Sequence, residues 1–501
     1  MAHTDPHTWF LPEGEIARSP AFTSGNEVTA LVDGEAYFAH LAARLAAQRS
    51  GDYLHLTAWR ATGNLQLEPT VPGAPTLLEL VRDLTARGVT VRSLTWLAGM
   101  GGGSGGGGVL GSSQIADNIS FVEEANAAGA TAVLDKRNVF ASSHHQKSAA
   151  LSSDGDDWAY VGGIDIAPDR WDTPDHDQAP GRTRDVFDGW HDVHSAIRGP
   201  AVAQVWQNFT ERWNDPTPAH GVPTLPGPTV PEPITARAPE PPAVSTQHVQ
   251  LLRTLACGPS SFLPDGEQSV RLGYERAIER AEHYVYLEDQ YLWPCTGDFT
   301  RGPGGLVTKL HEATLRGVKV ILVLAHRNDL ALTGPYHNQM QQDVLDLLRK
   351  DRPENVFVFD LRNEAGTDIY VHAKVMIVDD CLAVIGSSNI SRRSQTSDSE
   401  LSIAVVDDDV VPSAMDGVPV SVCRFAKDLR VALWSEHLGL GGSGLLEDPI
   451  EALARWPDEA ASTPQAPKQV HHAVVHYVDS ERPLPLAPDI SGIMNLETTC
   501  S

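Results

Sequence analysis

The sequence lacks the features of a membrane-embedded or secreted protein. It contains no apolar run of about 18 residues, the length that a membrane-spanning helix needs. Its first residues, MAHTDPHTWFLPEGE, have neither a basic start nor an apolar core, which argues against a secretory signal. The five cysteines are odd in number and widely spaced, and they fit no disulfide framework and no zinc-ligand spacing. These absences favour a cytoplasmic location, and they leave export by an unconventional route, as for a toxin, open.

Basic residues are also in short supply. The chain has 38 lysines and arginines against 65 aspartates and glutamates, a net charge of −27. Non-specific nucleic-acid binding needs a basic surface, so this balance disfavours a stable nucleic-acid partner, although it does not exclude a local basic site. Hydrophobic residues make up 41% and charged residues 21% of the chain, which is the composition of an ordinary globular protein.

The length and patterning indicate two lobes. At 501 residues the chain can bury a large core. Segments with strand and helix patterns alternate, which predicts an α/β fold. Prolines crowd residues 215–243, and this composition is typical of a stiff linker. We therefore predict an N-terminal lobe at 1–214, a linker at 215–243, a C-terminal lobe at 244–456 and a C-terminal extension at 457–501.

One stretch of the second lobe, VHAKVMIVDD, carries residues suited to phosphate chemistry. We expect a strand here, which would place His372 and Lys374 on one face. Lysine supplies positive charge for phosphate oxygens, and histidine can attack phosphorus or move a proton near neutral pH. The turn residue Asp379 and the segment GSSN at Gly386–Asn389 follow.

The first lobe contains a second copy of this pattern. His145 and Lys147 repeat the spacing, and the turn RGV also occurs once in each half, at nearly the same separation. Two coincidences in one register indicate an internal duplication. They predict a site between the halves, where one histidine attacks a phosphate and the other protonates the leaving oxygen. This chemistry requires no metal or cofactor, and the sequence shows no metal-ligand cluster.

The two motifs, H-x-K-x-x-x-x-D followed by GSxN, resemble those of the phospholipase D superfamily. Flanking segments resemble the catalytic region of the eukaryotic-type phospholipases D, and the resemblance extends over roughly residues 25–435. It implies two pseudo-symmetric α-β-α sandwich lobes that form one bilobed catalytic unit. The flanking segments are HHQK at 144–147, GGID at 162–165, RWDTPDH at 170–176, WHDVHSAIRGPA at 190–201, YLEDQYLW at 286–293 and IYVHAKVMIVDD at 369–380.

The resemblance implies a phosphodiesterase that acts on phospholipids at a membrane surface. It would hydrolyse the head-group ester, or transfer the phosphatidyl group to an alcohol, through a phosphohistidine. By position His145 matches the nucleophile and His372 the general acid, and the reverse assignment stays open. Lys147, Lys374, Ser387 and Asn389 match phosphate-binding positions, Asp165 either binds in the site or caps a turn, and Gly163, Asp379 and Gly386 match structural positions.

The resemblance also implies a carboxylate behind each histidine, which fixes the ring tautomer and stabilises the imidazolium. Asp192 and Glu400 match these two positions, and we expect Glu400 to lie behind His372, its neighbour in the second half.

Two departures from the family pattern stand out. Ser152 occupies the place of the expected aspartate in the first motif, and the first motif is longer before its glycine. Either Asp154 substitutes for the missing acid, or this motif has none. In addition, the chain begins on the catalytic part without the lipid-binding domains of eukaryotic-type relatives, so calcium-dependent membrane targeting is not implied.

Several functional alternatives stay open at this stage. A nuclease or another non-lipid phosphodiesterase is the principal alternative, and the net charge counts against the nuclease. A cardiolipin-type phosphatidyl transferase and a non-catalytic lipid- or phosphate-binding module are further ones. The head-group preference is not fixed by the sequence, and the oligomeric state is open, with a monomer among the options.

Overall fold

The computed structural model describes most of the chain, with gaps. The described residues are 4–18, 20–97, 111–139, 142–177, 189–217, 231–295, 305–326, 334–363, 366–440, 444–457 and 472–476. Among them, no helix is long and apolar enough to cross a lipid bilayer.

The first half alternates strands and helices, as predicted. Its helices are α1 Pro6–Trp9, α2 Asp33–Ala47, α3 Leu77–Ala86, α4 Gly111–Ala127 and α5 Ala201–Trp213. Its strands are β1 Thr23–Val32, β2 Tyr53–Ala58, β3 Thr90–Trp96, β4 Thr131–Asp135, β5 Ser148–Ser153, β6 Asp156–Gly162, β7 Gly189–His191 and β8 Val193–Arg198.

The second half follows the same plan. Its helices are α6 Ser269–Arg280, α7 Leu306–Leu315, α8 Gly334–Arg349, α9 Arg392–Thr396, α10 Arg424–Leu438 and α11 Pro449–Ala452. Its strands are β9 Gln247–Leu255, β10 Glu267–Gln268, β11 Tyr284–Asp289, β12 Lys319–Leu324, β13 Val356–Asn363, β14 Asp368–Val371, β15 Val375–Val378, β16 Leu382–Gly386, β17 Glu400–Asp407, β18 Val410–Met415, β19 Val418–Cys423 and β20 His472–His476.

The two halves share one sheet topology. The strand order is β4-β3-β2-β5-β6-β8-β1 in the first half and β13-β12-β11-β15-β16-β17-β9 in the second. In each, the first three strands are parallel and the later pairings are antiparallel. The sheets meet where β1 pairs with β9 and where β7 runs parallel to β14. The predicted α/β fold with two pseudo-symmetric halves is therefore confirmed.

Apolar side chains form three cores, and strand alternation distributes them. In β15, Val375 and Ile377 face a central core to which both halves contribute, whereas Met376 and Val378 face an outer core under α6, α7 and α8. A third core lies under α2, α3 and α4 of the first half. Because β15 is buried on both faces, its sequence is continuously apolar.

The predicted linker and extension are described only in part. Residues 231–243 form no helix or strand, but Ile234 is buried and exchanges hydrogen bonds with Asn214 at the end of α5. Residues 218–230 lie outside the described part. In the extension, β20 pairs antiparallel with β13, and residues 458–471 and 477–501 lie outside. The domain boundaries therefore remain predictions.

Candidate active site

His145 is held by a carboxylate of the opposite half. Its Nδ1 lies 3.0 Å from each carboxylate oxygen of Glu400, the first residue of β17. Its backbone N–H donates to the carbonyl of Ser399 at 2.9 Å. Glu400 is fully buried, so the ring is fixed against a carboxylate that water does not reach.

His372 is likewise held by a carboxylate of the opposite half. Its Nδ1 lies 2.6 Å from Oδ2 of Asp192, and its backbone N–H donates to the carbonyl of His191 at 2.7 Å. The expectation that Glu400 lies behind His372 is therefore wrong. The carboxylates are exchanged between the halves because β14 pairs with β7 of the first half, with Val371 beside His191.

The same contacts correct the expected strand at the second motif. His372 and Lys374 lie between β14 and β15 rather than within a strand. The ladder is interrupted because Val371 pairs with β7, whereas Val375 pairs with Ile385 of β16. The two side chains nevertheless meet in the site.

The environment of the rings favours neutral imidazoles. Burial lowers the pKa of His145 well below its ordinary value, and the charge of Lys147 lowers it further. Burial and then Lys374 do the same to the pKa of His372, with a smaller contribution from His145 itself. A neutral ring that donates Nδ1–H to a carboxylate keeps its lone pair at Nε2, on the opposite side of the ring. Each histidine therefore carries a nucleophilic or proton-accepting nitrogen away from its carboxylate.

The supporting carboxylates and one lysine have pKa values near neutrality. Burial raises the pKa of Asp192 to about 7, although the charge of Lys374 opposes the shift. Burial also raises the pKa of Glu400 to about 7, against a hydrogen bond from Ser387. Burial lowers the pKa of Lys374 to about 8, against the charges of Asp192 and Asp289. These groups therefore change charge close to physiological pH.

The two lysines occupy equivalent buried positions. Nζ of Lys147 donates to the carbonyl of His145 at 3.1 Å and lies 3.2 Å from Oδ2 of Asp165. Nζ of Lys374 donates to the carbonyl of His372 and to Oε1 of Gln290, the latter at 3.3 Å. Two lysines with 2% exposure or less concentrate positive charge near both histidines, as binding of an anionic group requires.

Asp165 and Ser387 occupy supporting positions. Oδ1 of Asp165 accepts the backbone N–H groups of Trp59 and Arg60, both at 3.0 Å, and Oδ2 pairs with Lys147. Asp165 therefore caps the backbone after β2 and also contacts the lysine of the site, and its role toward substrate stays a prediction. The hydroxyl of Ser387, expected on a phosphate oxygen, instead donates to Oε2 of Glu400 at 2.5 Å.

The side chain of Asn389, another predicted phosphate ligand, differs from those of Asp165 and Ser387. It is buried, and its Oδ1 has no hydrogen-bond partner within the described ranges. A side-chain amide that is held in place without an internal partner can turn its donor or acceptor toward a bound group.

Neighbouring side chains occupy the space that a Cβ atom would need at the two motif glycines. A Cβ at Gly163 would lie 2.0 Å from Oδ1 of Asp192, and a Cβ at Gly386 would lie 1.9 Å from Oγ of Ser402. Any side chain at Gly163 would therefore displace the carboxylate that holds His372.

Asp379 stabilises the hairpin that carries the second motif. Its carboxylate accepts the backbone N–H groups of Glu282, His283 and Tyr284 at 2.7, 2.9 and 2.8 Å, where β11 begins. Asp379 and Asp380 both have positive φ, which is typical of a tight hairpin turn.

In the first motif, Ser152 contacts the backbone at the start of the neighbouring strand, as Asp379 does in the second motif. Oγ of Ser152 accepts the backbone N–H of Tyr53, the first residue of β2, at 3.1 Å and donates to Asp52 at 2.7 Å. Asp154 is exposed and pairs with Arg49, so it does not replace the missing acid. Of the two alternatives, substitution by Asp154 is therefore wrong, and Ser152 itself contacts the strand.

Sequence reasoning missed the aromatic side chains around the histidines. The Trp59 ring contacts His145 edge-on at 6.1 Å, and the Trp190 ring lies 4.9 Å from His372. The guanidinium of Arg170 lies 3.7 Å above the Trp190 ring. Trp190 and Arg170 belong to the flanking segments that carry the family resemblance, which was the available signal.

A second cluster of ionisable side chains lies next to Asp192. Within the described part of the chain, Asp33, His176, His191 and Glu436 offer ligand-type atoms within 4.8 Å of one another, and His191, Glu288 and His437 form an adjoining group. Neither group forms a sequence motif, because most of the members are far apart along the chain. These are the described residues that could hold a metal ion.

Comparison with known proteins agrees with the geometry. Residues 112–299 match the family model described as Phospholipase D, and residues 274–416 match the model described as Cardiolipin synthase, PLD-like domain. The solved structure of phosphatidylserine synthase from Haemophilus influenzae has the same fold, with a TM-score of 0.51 at 12% identity over 77% of this chain and 84% of that one.

Curated relatives carry the name phospholipase D. Phospholipase D1 of Schizosaccharomyces pombe is 28% identical over 389 residues, which cover 61% of this chain and 28% of the relative. Phospholipase D1 of Mus musculus is 30% identical over 304 residues, which cover 53% of this chain and 28% of the relative. The matched region thus spans less than a third of either relative. With both family models, the duplicated fold and the paired motifs, the chain is a member of the phospholipase D superfamily, related to the eukaryotic phospholipases D.

Proposed function

We propose that this protein is a phosphodiesterase that cleaves the head-group ester of phospholipids and leaves phosphatidic acid. The observation that supports this most strongly is the exchanged pair of contacts, His145 with Glu400 and His372 with Asp192, beside two buried lysines. Two tethered imidazoles that lie close enough to two lysines and to each other to interact electrostatically suit a two-step displacement at phosphorus.

In the first step, Nε2 of His145 attacks phosphorus. We assign the attack to His145 because its side chain is 14% exposed, against 6% for His372. The nitrogen–phosphorus bond forms as the bond to the head-group oxygen breaks, and Nε2 of His372 gives its proton to that oxygen. The negative charge of the bound diester offsets the lysine charges that lower the pKa of His372, so this ring can carry the proton.

In the second step, His372 takes a proton from water, and the resulting hydroxide displaces His145 from phosphorus. A primary alcohol in place of water would give a transferred phosphatidyl ester. Lys147, Lys374 and Asn389 would hold the non-bridging oxygens as charge develops in each transition state. Asp192 and Glu400 would fix the tautomers and stabilise each ring when it is protonated.

The net charge of the protein and the names of its relatives favour a lipid substrate over nucleic acid. The net charge of −27 disfavours the approach of a polyanion, whereas a bilayer presents its head groups one at a time. The relatives at 28% and 30% identity are phospholipases D by name. We expect the protein to act at the surface of a membrane, without a stable nucleic-acid partner.

The test is head-group release from vesicles. Vesicles of single phospholipids with different head groups are incubated with the full chain, with and without a primary alcohol, and the lipid products are separated. We expect phosphatidic acid, and the phosphatidyl alcohol when alcohol is present. The variants His145→Ala and His372→Ala should lose turnover, whereas His248→Ala, which removes a ring paired with the exposed Asp408, should keep it.

A nuclease assay separates the principal alternative. Plasmid DNA is incubated with the same preparation in the presence of EDTA. Cleavage of the plasmid by a folded protein that releases no head group from any phospholipid would contradict the proposed substrate class.

A further inference from the structure

Next to the paired histidines lies a buried group of ligand-type side chains that the phosphodiesterase chemistry does not use. Asp33, His176 and His191 come from the first half and Glu436 from α10 of the second. The first three are buried to 1% or less, and the Glu436 side chain is 10% exposed. Together they lie where the two halves meet.

The four side chains offer ligand-type atoms that all lie within 4.8 Å of one another. Nδ1 of His191 lies 3.0 Å from Oε1 of Glu436 and 3.2 Å from Oδ1 of Asp33. Nε2 of His176 lies 3.5 Å from Oε1 of Glu436 and 3.8 Å from Oδ2 of Asp33. Ligand atoms bound to a tetrahedral zinc ion at its usual bond lengths are about 3.4 Å apart. The four contact distances lie on both sides of that value, and one carboxylate oxygen of Asp33 would have to turn toward both rings for all four side chains to bind one ion.

The remaining nitrogen of each imidazole is already held by a carboxylate. Nδ1 of His176 lies 3.0 Å from Oδ2 of Asp172, and Nε2 of His191 lies 2.9 Å from Oε2 of Glu288. Histidine ligands of metals almost always donate their second N–H to such a group, which fixes the ring and makes it a stronger ligand. Asp172 and Glu288 therefore aim both rings at the centre of the group.

The inward atoms lie close to one another, but their contacts do not have hydrogen-bond geometry. Oδ2 of Asp33, Nδ1 of His191 and Oε1 of Glu436 are buried without a hydrogen-bond partner among the residues that the structure describes. The adjoining group differs, because Oε1 of Glu288 accepts both the hydroxyl of Tyr286 at 2.5 Å and Nε2 of His437 at 2.8 Å. An unsatisfied buried polar atom is costly, and a bound cation would satisfy all three at once.

We propose that Asp33, His176, His191 and Glu436 bind one divalent metal ion of the zinc type. Two carboxylates neutralise its charge, and imidazole with carboxylate oxygen is a usual donor set for zinc. The ion would join the halves and fix His191, whose carbonyl accepts the backbone N–H of His372 and whose neighbour Asp192 holds that ring. Its role is therefore structural support for the active site.

The competing state is a metal-free network with charged imidazoles. Burial alone would lower the pKa of His176, but Asp33, Asp172 and Glu436 outweigh it and raise the pKa to about 10. A similar balance, in which Glu288 and Glu436 outweigh burial, raises the pKa of His191 well above its ordinary value. Two imidazolium ions would offset the carboxylates without a metal, and a measurement of bound metal distinguishes this state from the zinc-bound one.

The test is metal content with matched variants. The full-length protein is incubated with zinc chloride, passed through a desalting column and analysed by mass spectrometry for zinc per chain. We expect one zinc per chain for the unmodified protein. Glu436→Gln keeps the shape but removes a charged ligand, so zinc affinity in competition with a chelator should fall at least about tenfold. Glu27→Gln, the same change at an exposed glutamate that pairs with Arg198, should bind zinc like the unmodified protein.

A second measurement does not depend on any variant. We expect removal of zinc by a chelator to lower the thermal unfolding midpoint, and its return to restore the midpoint. Cobalt in place of zinc should give the visible bands of a tetrahedral complex. Folded protein that keeps no zinc after desalting and shows no zinc-dependent midpoint would overturn the proposal, as would equal zinc affinity in Glu436→Gln and the unmodified protein.

Discussion

Nδ1 of His372 lies 2.6 Å from Oδ2 of Asp192, a residue that belongs to the opposite half of the duplicated fold. The reciprocal contact joins His145 to Glu400. Neither half therefore contains a complete histidine–carboxylate pair, and the site exists only when the two halves are associated. The two halves also share the central hydrophobic core.

Replacement of the carboxylate that holds His372 should lower the activity although the imidazole ring is still present. In Asp192→Asn, the amide N–H group faces Nδ1 and favours the wrong tautomer, so we expect head-group release to fall by about 10³–10⁴-fold. The measurement is the initial rate on phospholipid vesicles, with circular dichroism to establish folding. Asp154→Asn, an exposed aspartate-to-asparagine change in the same half, should keep the wild-type rate. A folded Asp192→Asn protein with full activity would contradict the assignment.

Ser387→Ala should separate support of Glu400 from contact with substrate. Its hydroxyl donates to Oε2 of Glu400, so its removal should lower kcat by about tenfold while KM for phospholipid stays unchanged. Steady-state kinetics on mixed vesicles provide the measurement. A rise in KM at constant kcat would instead show that this hydroxyl binds the phosphate, as the sequence suggested.

The activity should follow a narrow bell-shaped dependence on pH. Burial raises the pKa of Asp192 and Glu400 to about 7, so below that pH both become protonated and no longer accept Nδ1–H. Burial lowers the pKa of Lys374 to about 8, so above that pH it loses its charge for the phosphate. We therefore expect kcat/KM to be highest between about pH 7 and 8 and to fall on both sides. Rates that rise steadily below pH 6 would contradict this origin.

The contribution of Ser152, which stands in place of the expected aspartate in the first motif, should be measurable in the stability of the protein. Ser152→Ala removes the acceptor for the backbone N–H of Tyr53 and the donor to Asp52, and it should lower the free energy of unfolding by about 1 kcal/mol. Chemical denaturation gives the value. Asp154→Asn retains a residue that tolerates positive φ and should leave the stability unchanged. The reverse order of the two variants would show that Asp154 supplies the missing acid after all.

Local pattern and family resemblance predicted much of this molecule. The segment VHAKVMIVDD predicted the strand β15 and the turn at Asp379, because strand burial and turn chemistry are properties of adjacent residues. The repeated spacing of His145 and Lys147 predicted the duplicated fold, and the same topology appears in both halves.

The exchange of carboxylates could not be predicted in this way. Glu400 is close to His372 along the chain, but the choice between His372 and His145 depends on β14 pairing with β7 across the two halves. The group around His191 was missed for the same reason, since its members come from three distant segments and carry no regular spacing.

The most direct test of the account is detection of a phosphatidyl adduct on histidine during turnover. The protein is mixed with a short-chain phospholipid, quenched at alkaline pH, digested and analysed by mass spectrometry. We predict an adduct on the peptide that contains His145, absent from His145→Ala. Release of head groups with no adduct on either His145 or His372 would contradict a mechanism in which the two halves supply a nucleophile and an acid to one phosphate.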